Sequence, residues 1–230
     1  MIQIEKLTKT YGKARGVTEL SLRVRSGSCF GFIGPNGAGK STTIRTLLGL
    51  LSPTAGTAKV LGLDCVRERR DILAQVGYMP SEAMFYPNMR VSEVIRLSAA
   101  LRKRDCRAQA EELCGALELD PRKRIRELSL GNRKKVSIVC AMQHRPRLYI
   151  LDEPTSGLDP LVQRAFWAEL EARRREGATV FLSSHVLYEV QRYCDRAAII
   201  REGRLIVEGS VAELDIENRF FDYYEGRVAQ

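Results

Sequence analysis

The segment GPNGAGKST, from Gly34 to Thr42, constrains this chain more than any other. Gly34, then Gly39, Lys40 and Ser41 after four intervening residues, match the phosphate-binding pattern G-x-x-x-x-G-K-[ST]. Its glycines let the backbone curl until successive N–H groups face one concavity, an anion nest. Lys40 then reaches the outer phosphates of a nucleotide, and the Ser41 hydroxyl is placed to ligate Mg2+. The flanks agree with this reading. SCFGFIG upstream reads as a short strand, and KSTTIRTLLGLL downstream as a helix stopped by Ser52 and Pro53. Strand, tight loop and helix start together set the positive end of a helix at the phosphates.

A phosphate cradle creates a demand that LYILDEPTSGLD, from Leu148, meets. LYIL is a short apolar run with the look of a buried parallel strand. Asp152 follows at its carboxyl end, where open α/β sheets present their ligands, and suits contact with Mg2+, directly or through its water. Glu153, one residue further out, is placed to orient or deprotonate an attacking water. Between the two segments, LSLGN from Leu128 offers a Ser-Gly turn able to meet a phosphate from another direction.

Along essentially its whole length the chain resembles an ATP-binding-cassette (ABC) ATPase, most closely those of simple ABC-2-type exporters. The resemblance makes Gly34, Pro35, Asn36, Gly37, Ala38, Gly39, Lys40, Ser41 and Thr42 the Walker A loop, with ATP and Mg2+ as the implied cofactors. LYILDE becomes the Walker B strand with Glu153 as catalytic glutamate, SGLD (Ser156 to Asp159) the D-loop, and LSSH the switch, whose His185 contacts the γ-phosphate. Tyr11, in TKTYG, is implied to stack on adenine, a contact typically worth about 1–3 kcal/mol per base. Ser129 and Gly131 of LSLGN occupy the family signature, which closes over ATP bound to the other copy of a head-to-tail homodimer. Two departures stand out. The signature has Leu130 and Asn132 where the family usually has a glycine and a glutamine. After the proline of VGYMPSE, where the family often places a glutamine, the chain has Ser81 and then Glu82, and either is a candidate for the coupling role.

The expected fold is α/β: a P-loop NTPase with a RecA-like parallel-sheet core, an edge antiparallel β-subdomain and an inserted α-helical subdomain. One ABC ATPase domain spans 1–230, with the core and β-subdomain in 1–86 and 146–230 and the helical subdomain in 87–145. MIQIEKL and VTELSLRVRSG alternate as antiparallel strands flanking the loop that carries Tyr11. In the insert, Val94, Leu97 and Leu101 share one helical face, followed by Leu113 and Leu117, and a helix past Gly131 turns Val136, Val139 and Cys140 inward. RAFWAELEARRREG reads as a helix closed by Gly177, then come the strand ATVFLS, a helix through HVLYEVQRYC and the closing strands RAAIIREGRLIVEG.

With 230 residues, 44% hydrophobic, the chain can bury a large core. No apolar stretch approaches the roughly eighteen residues of a membrane span, and MIQIEKLTK lacks a secretory signal's apolar region. Six scattered cysteines without a C-x-x-C pair read as buried small side chains in a reducing compartment. Charge of +9 comes from 37 basic against 28 acidic residues, with clusters at Arg102–Arg104, Arg122–Arg124, Arg133–Lys135 and Arg173–Arg175. Spread out, and without interleaved aromatics, these do not suggest a nucleic-acid surface. On helices they read as solvated faces, or as attraction to an anionic leaflet beneath a membrane partner. Of the two histidines, His185 reads as functional and His144 as a capping or surface residue. The favoured function is the energising subunit of an exporter, peripheral on the cytoplasmic face of the cell membrane, driving a separate transmembrane permease. The short tract after His185 leaves no room for a regulatory domain. The alternative is a soluble ABC ATPase of translation or DNA maintenance.

Overall fold

The computed structural model describes residues 1–12 and 14–225. It divides into two compact units, Met1–Leu73 with Thr179–Gln230, and Ala74–Ala178. The chain opens with β1 (Ile2–Tyr11), β2 (Ala14–Val24), β3 (Cys29–Ile33), α1 (Lys40–Leu47), β4 (Ala55–Val60), β5 (Leu63–Asp64) and α2 (Arg69–Gln75). It continues with β6 (Val76–Met79), α3 (Val91–Leu101), α4 (Arg107–Ala116), a 3-10 turn (Ile125–Glu127), α5 (Leu130–Met142), β7 (Leu148–Asp152) and α6 (Pro160–Arg175). It closes with β8 (Thr179–Ser184), α7 (Leu187–Tyr193), β9 (Arg196–Arg201), β10 (Arg204–Ser210), α8 (Val211–Leu214) and α9 (Ile216–Glu225).

In the first unit β3 lies between β8 and β9 and runs parallel to both, while β10 folds back antiparallel on β9. CFGFI and TVFLSS are buried along their whole length, as parallel strands covered on both faces must be. The register sets Phe30 opposite Phe181, and their rings stack at 5.9 Å, with Phe32 5.6 Å from Phe181. A separate antiparallel sheet runs β2-β1-β4-β5. In β1, Ile2 and Ile4 are buried and Gln3 and Glu5 exposed, the period-2 signature of a half-covered strand. Strict alternation would next bury Lys6. Instead the register slips between Ile4 and Leu7, with Lys6 at φ +46, so that Leu7 takes the inner position.

In the second unit β6 and β7 pair in parallel, Val76 opposite Leu148 through to Met79 opposite Leu151. Helix α5 packs on β6 and meets α3 and α4. Its start is capped by the Ser129 hydroxyl, which accepts from the Asn132 N–H at 3.2 Å. Helix α6 starts earlier than the sequence pattern implies, because Pro160 occupies its first turn and Asp159 accepts from the Leu161 and Val162 N–H groups.

Several expectations are corrected. Tyr11 is the last residue of β1, paired with Ala14, rather than a loop residue. Helix α3 buries Val91, Val94 and Ile95, leaving Leu97 and Leu101 exposed, so the inward face lies one residue off the expected stripe. Cys140 is only half-buried, whereas Val136 and Val139 are buried. The basic clusters are not uniformly solvated. Lys134, Lys135 and Arg173 are buried, Arg173 because Glu169 and Glu176 both lie 3.3 Å from its guanidinium. Nor is His144 a surface residue: it is 4% exposed. The chain turns back at Arg145 (φ +46), whose N–H bonds the Met142 carbonyl, and this turn carries the imidazole inward.

Burial, reinforced by the Arg102 charge, pushes the His144 imidazole down from 6.5 to about 4. Between those values the unfolded chain binds a proton that the folded chain refuses. Stability should therefore be constant from this residue above pH 6.5 and fall as pH drops towards 4, by an amount on the order of 3 kcal/mol. Thermal melts from pH 7.5 to 4.5 check this: His144→Leu should lose part of the acid slope, and an unchanged slope would refute the assignment.

Candidate functional site

The register Ile33 opposite Ser184 means that the loop after β3 and the residue after β8 leave the same carboxyl edge. The first is Gly34–Gly39 and the second is His185, which is exposed. Between them, the Ser184 hydroxyl accepts from the Val186 N–H at 2.9 Å and fixes the turn into α7. The loop itself is tight. A Cβ on Gly34 would lie 2.4 Å from the Ile200 carbonyl oxygen, and Gly39 holds φ +107 with the Gly16 carbonyl 2.9 Å from its Cβ position. Side chains are excluded there, and the backbone lines the curl. Asn36 and Gly37 are exposed at its tip, while Ala38, Gly39 and Lys40 are buried.

Lys40 is the first residue of α1, directly after Gly39, so its own N–H lies in the first turn at the positive helix end. Its ammonium folds back to donate to the carbonyls of Gly34 (2.5 Å) and Pro35 (3.2 Å), which holds it over the loop. A cradle of glycine backbone, a helix start and a preplaced ammonium fits a chain of phosphates. Ser41 and Thr42 follow on the first turn, both half-buried. Tyr11, in the same unit, is 44% exposed and has the Lys9 ammonium 5.5 Å from its ring centroid.

The second unit holds the remaining candidates. Asp152 ends β7 almost completely buried, and Glu153 follows half-buried with φ +50. The Met79–Leu151 pairing brings the residues after β6, Pro80 to Glu82, to the same edge as Asp152 and Glu153. Ser81 is half-buried there and Glu82 exposed. Ser156 to Asp159 follow, and the Gln163 amide donates to the Leu158 carbonyl at 3.0 Å. Gly131, at the start of α5, lies against this loop: its Cβ position is 3.1 Å from the Gly157 carbonyl oxygen. Ser129 is exposed beside it, and Leu130 is 64% exposed. Asp159 uses one carboxylate oxygen on the α6 cap.

One member of this cluster has no counterpart among the expected site residues. Lys134 donates from its ammonium to the Glu153 carbonyl at 2.7 Å and the Ser81 carbonyl at 3.0 Å. Burial lowers its basicity, and the nearby Glu153 and Asp152 charges oppose that shift. Lysine in a helical basic cluster reads as solvated. The signal against that reading was the run VSIV from Val136, just past Lys135, since a helix without polar periodicity is covered all round.

The first unit offers the Ser41 hydroxyl and the second the Asp152 carboxylate, each an oxygen donor of the type Mg2+ prefers. Among the described residues no cluster of three His, Cys, Asp or Glu forms a metal cage.

Comparison with known proteins places these features in company. The family model described as ABC transporter matches residues 17–156. The chain is 35% identical over 223 residues to the probable multidrug ABC transporter ATP-binding protein YbhF of Escherichia coli (strain K12), covering 95% of this chain and 38% of that protein. It is 35% identical over 223 residues to the bacitracin transport ATP-binding protein BcrA of Bacillus licheniformis, covering 95% of this chain and 72% of that one. The chain thus spans well under half of the first relative's length. A solved structure of the ATP binding subunit of an ABC transporter superposes with a TM-score of 0.86 at 31% identity, over 96% of this chain and 93% of that chain.

Gly39→Ala tests the cradle. Forcing a Cβ into a left-handed residue against the Gly16 carbonyl should weaken binding of a fluorescent ATP analogue at least ten-fold. Gly27→Ala, also left-handed (φ +74) but with open space around its Cβ, should lose less stability and keep its affinity. Equal affinity losses in both would place the nucleotide elsewhere.

Proposed function

This chain belongs to the ABC transporter family, and we propose that it binds and hydrolyses ATP as the energising subunit of a membrane exporter. The observation that carries the reading is the Gly34–Lys40 loop, with its ammonium held over glycine backbone at the head of α1. Both relatives named above carry transport in their names, which favours export over a soluble role in translation or DNA maintenance.

The roles follow residue by residue. The Gly34–Gly39 amides and the start of α1 take the phosphates, Lys40 neutralises the outer two, and Tyr11 stacks on the adenine. Ser41 and Asp152 hold Mg2+, which when bound offsets charge on the β- and γ-phosphates. Glu153 draws a proton from the attacking water, and His185 hydrogen-bonds the γ-phosphate. Ser129 and Gly131 meet the γ-phosphate of the opposite copy, so that ATP joins two copies head to tail and hydrolysis lets them part. Asp159, at the end of the D-loop, belongs with the residues that bind the nucleotide. Ser81 or Glu82 relays that motion to the permease, which grips the helical subdomain 87–145.

No helix of the described residues is long and apolar enough to cross a membrane. A separate membrane-spanning permease supplies the channel, and the chain sits against it at the cytoplasmic face. Exposed arginines on the helical segments add attraction to anionic headgroups, about 1 kcal/mol for each one near the surface.

Two variants test this function. Lys40→Ala should abolish ATP hydrolysis. Glu153→Gln should retain ATP binding and accumulate a closed dimer, seen as a doubling of apparent mass in gel filtration with ATP. A monomer that persists under saturating ATP and Mg2+ would contradict the sandwich.

A further inference from the structure

Lys134 has no part in the roles just assigned, yet two segments distant in sequence converge on it. It is 4% exposed, on the second turn of α5, directly downstream of the Ser129 cap. A buried ammonium is costly unless its protons are accepted, and a leucine or methionine would fill the same volume without that cost. Here the acceptors are main-chain carbonyls from two other segments, Ser81 at 3.0 Å and Glu153 at 2.7 Å. Glu153 sits at φ +50, a conformation that a non-glycine residue keeps only where its surroundings hold it. The Glu153 carbonyl also accepts from the Ser156 N–H at 3.4 Å, a longer contact than that from the ammonium.

We propose that Lys134 is a positioning residue: its ammonium clamps the Glu153 peptide so that the carboxylate keeps its aim, and links that aim to the Ser81 segment. This rests on the reading of Glu153 as the base for the attacking water. The link runs through the main-chain carbonyl of residue 81. Displacing the Ser81 segment removes one acceptor from Lys134, and the ammonium then loosens its hold on Glu153. The connection runs through main chain, so it does not depend on which side chain stands at position 81. Being on the helix that Ser129 begins, Lys134 also ties the setting of the Glu153 peptide to the signature helix of its own copy.

The test uses the full chain with Lys134→Gln, Lys134→Arg and, in parallel, Glu153→Gln. For each, the kcat of ATP hydrolysis, the Kd of a fluorescent ATP analogue and the melting temperature are measured. Lys134→Gln is too short to reach both carbonyls, and its kcat should fall ten-fold or more while Kd stays within two-fold. Lys134→Arg keeps charge and donors and should bring kcat back to within three-fold of wild type. A wild-type kcat in Lys134→Gln overturns the proposal, as does a kcat loss matched by a Kd loss and not rescued by arginine. If Lys134→Gln does not fold, the arginine variant decides: a folded protein with a ten-fold lower kcat overturns it, and near-wild-type turnover supports it. Glu153→Gln separates the two layers, since undiminished turnover there would remove Glu153 as the base, whatever the lysine variants show.

Discussion

The ammonium of Lys40 folded onto the carbonyls of Gly34 and Pro35 is the contact on which the rest of the chemistry depends. It needs three things at once: a strand end that delivers the loop, glycines that let backbone rather than side chain line it, and a helix that begins at once. Strand β3, held between two parallel partners and buried on both faces, supplies the rigid delivery. Gly34 and Gly39 supply the close approaches to Ile200 and Gly16. Helix α1 supplies the positive end, and no acidic residue in its first turn competes with an incoming phosphate.

The same economy recurs in the second unit. Ser129 begins α5 and caps it, and Asp159 begins α6 and caps it. Residues that sequence motifs single out for phosphate or interface work are thus also the ones that fix where their helices start. Removing either side chain would disturb a helix end as well as a contact, typically by about 1 kcal/mol for the cap alone. Lys134 and Gln163 then tie these helices to the backbone around Glu153 and the D-loop.

Much of this was legible in the sequence because the signals are local. CFGFI, LYIL and TVFLSS are unbroken apolar runs and became buried strands, and GPNGAGKST fixes its own turn and helix start. Asp152 and Glu153 stand at a strand end, as LYILDE implied, while the strand Val76–Met79 that brings Ser81 and Glu82 to the same edge was not read from the sequence. What escaped depends on packing across the chain. Lys134 looks like any lysine of a basic helix until the carbonyls of Ser81 and Glu153, distant in sequence, arrive beside it. His144 is carried inside by a turn at Arg145, a left-handed arginine that no composition rule marks. The slip in β1 that exchanges Lys6 for Leu7 on the inner face depends on neighbouring strands. Helices α8 and α9, past the closing strands, carry no motif that points to them.

If two copies complete each other's reaction, the ATP turnover of the isolated chain is a property of pairs. Its specific activity, measured at saturating ATP and Mg2+ over a hundred-fold dilution, should then rise with protein concentration and level off only once the chain is mostly dimeric. A specific activity independent of concentration, in a chain that sedimentation shows to be monomeric throughout, would mean that each copy carries a complete site alone, and the account would be wrong.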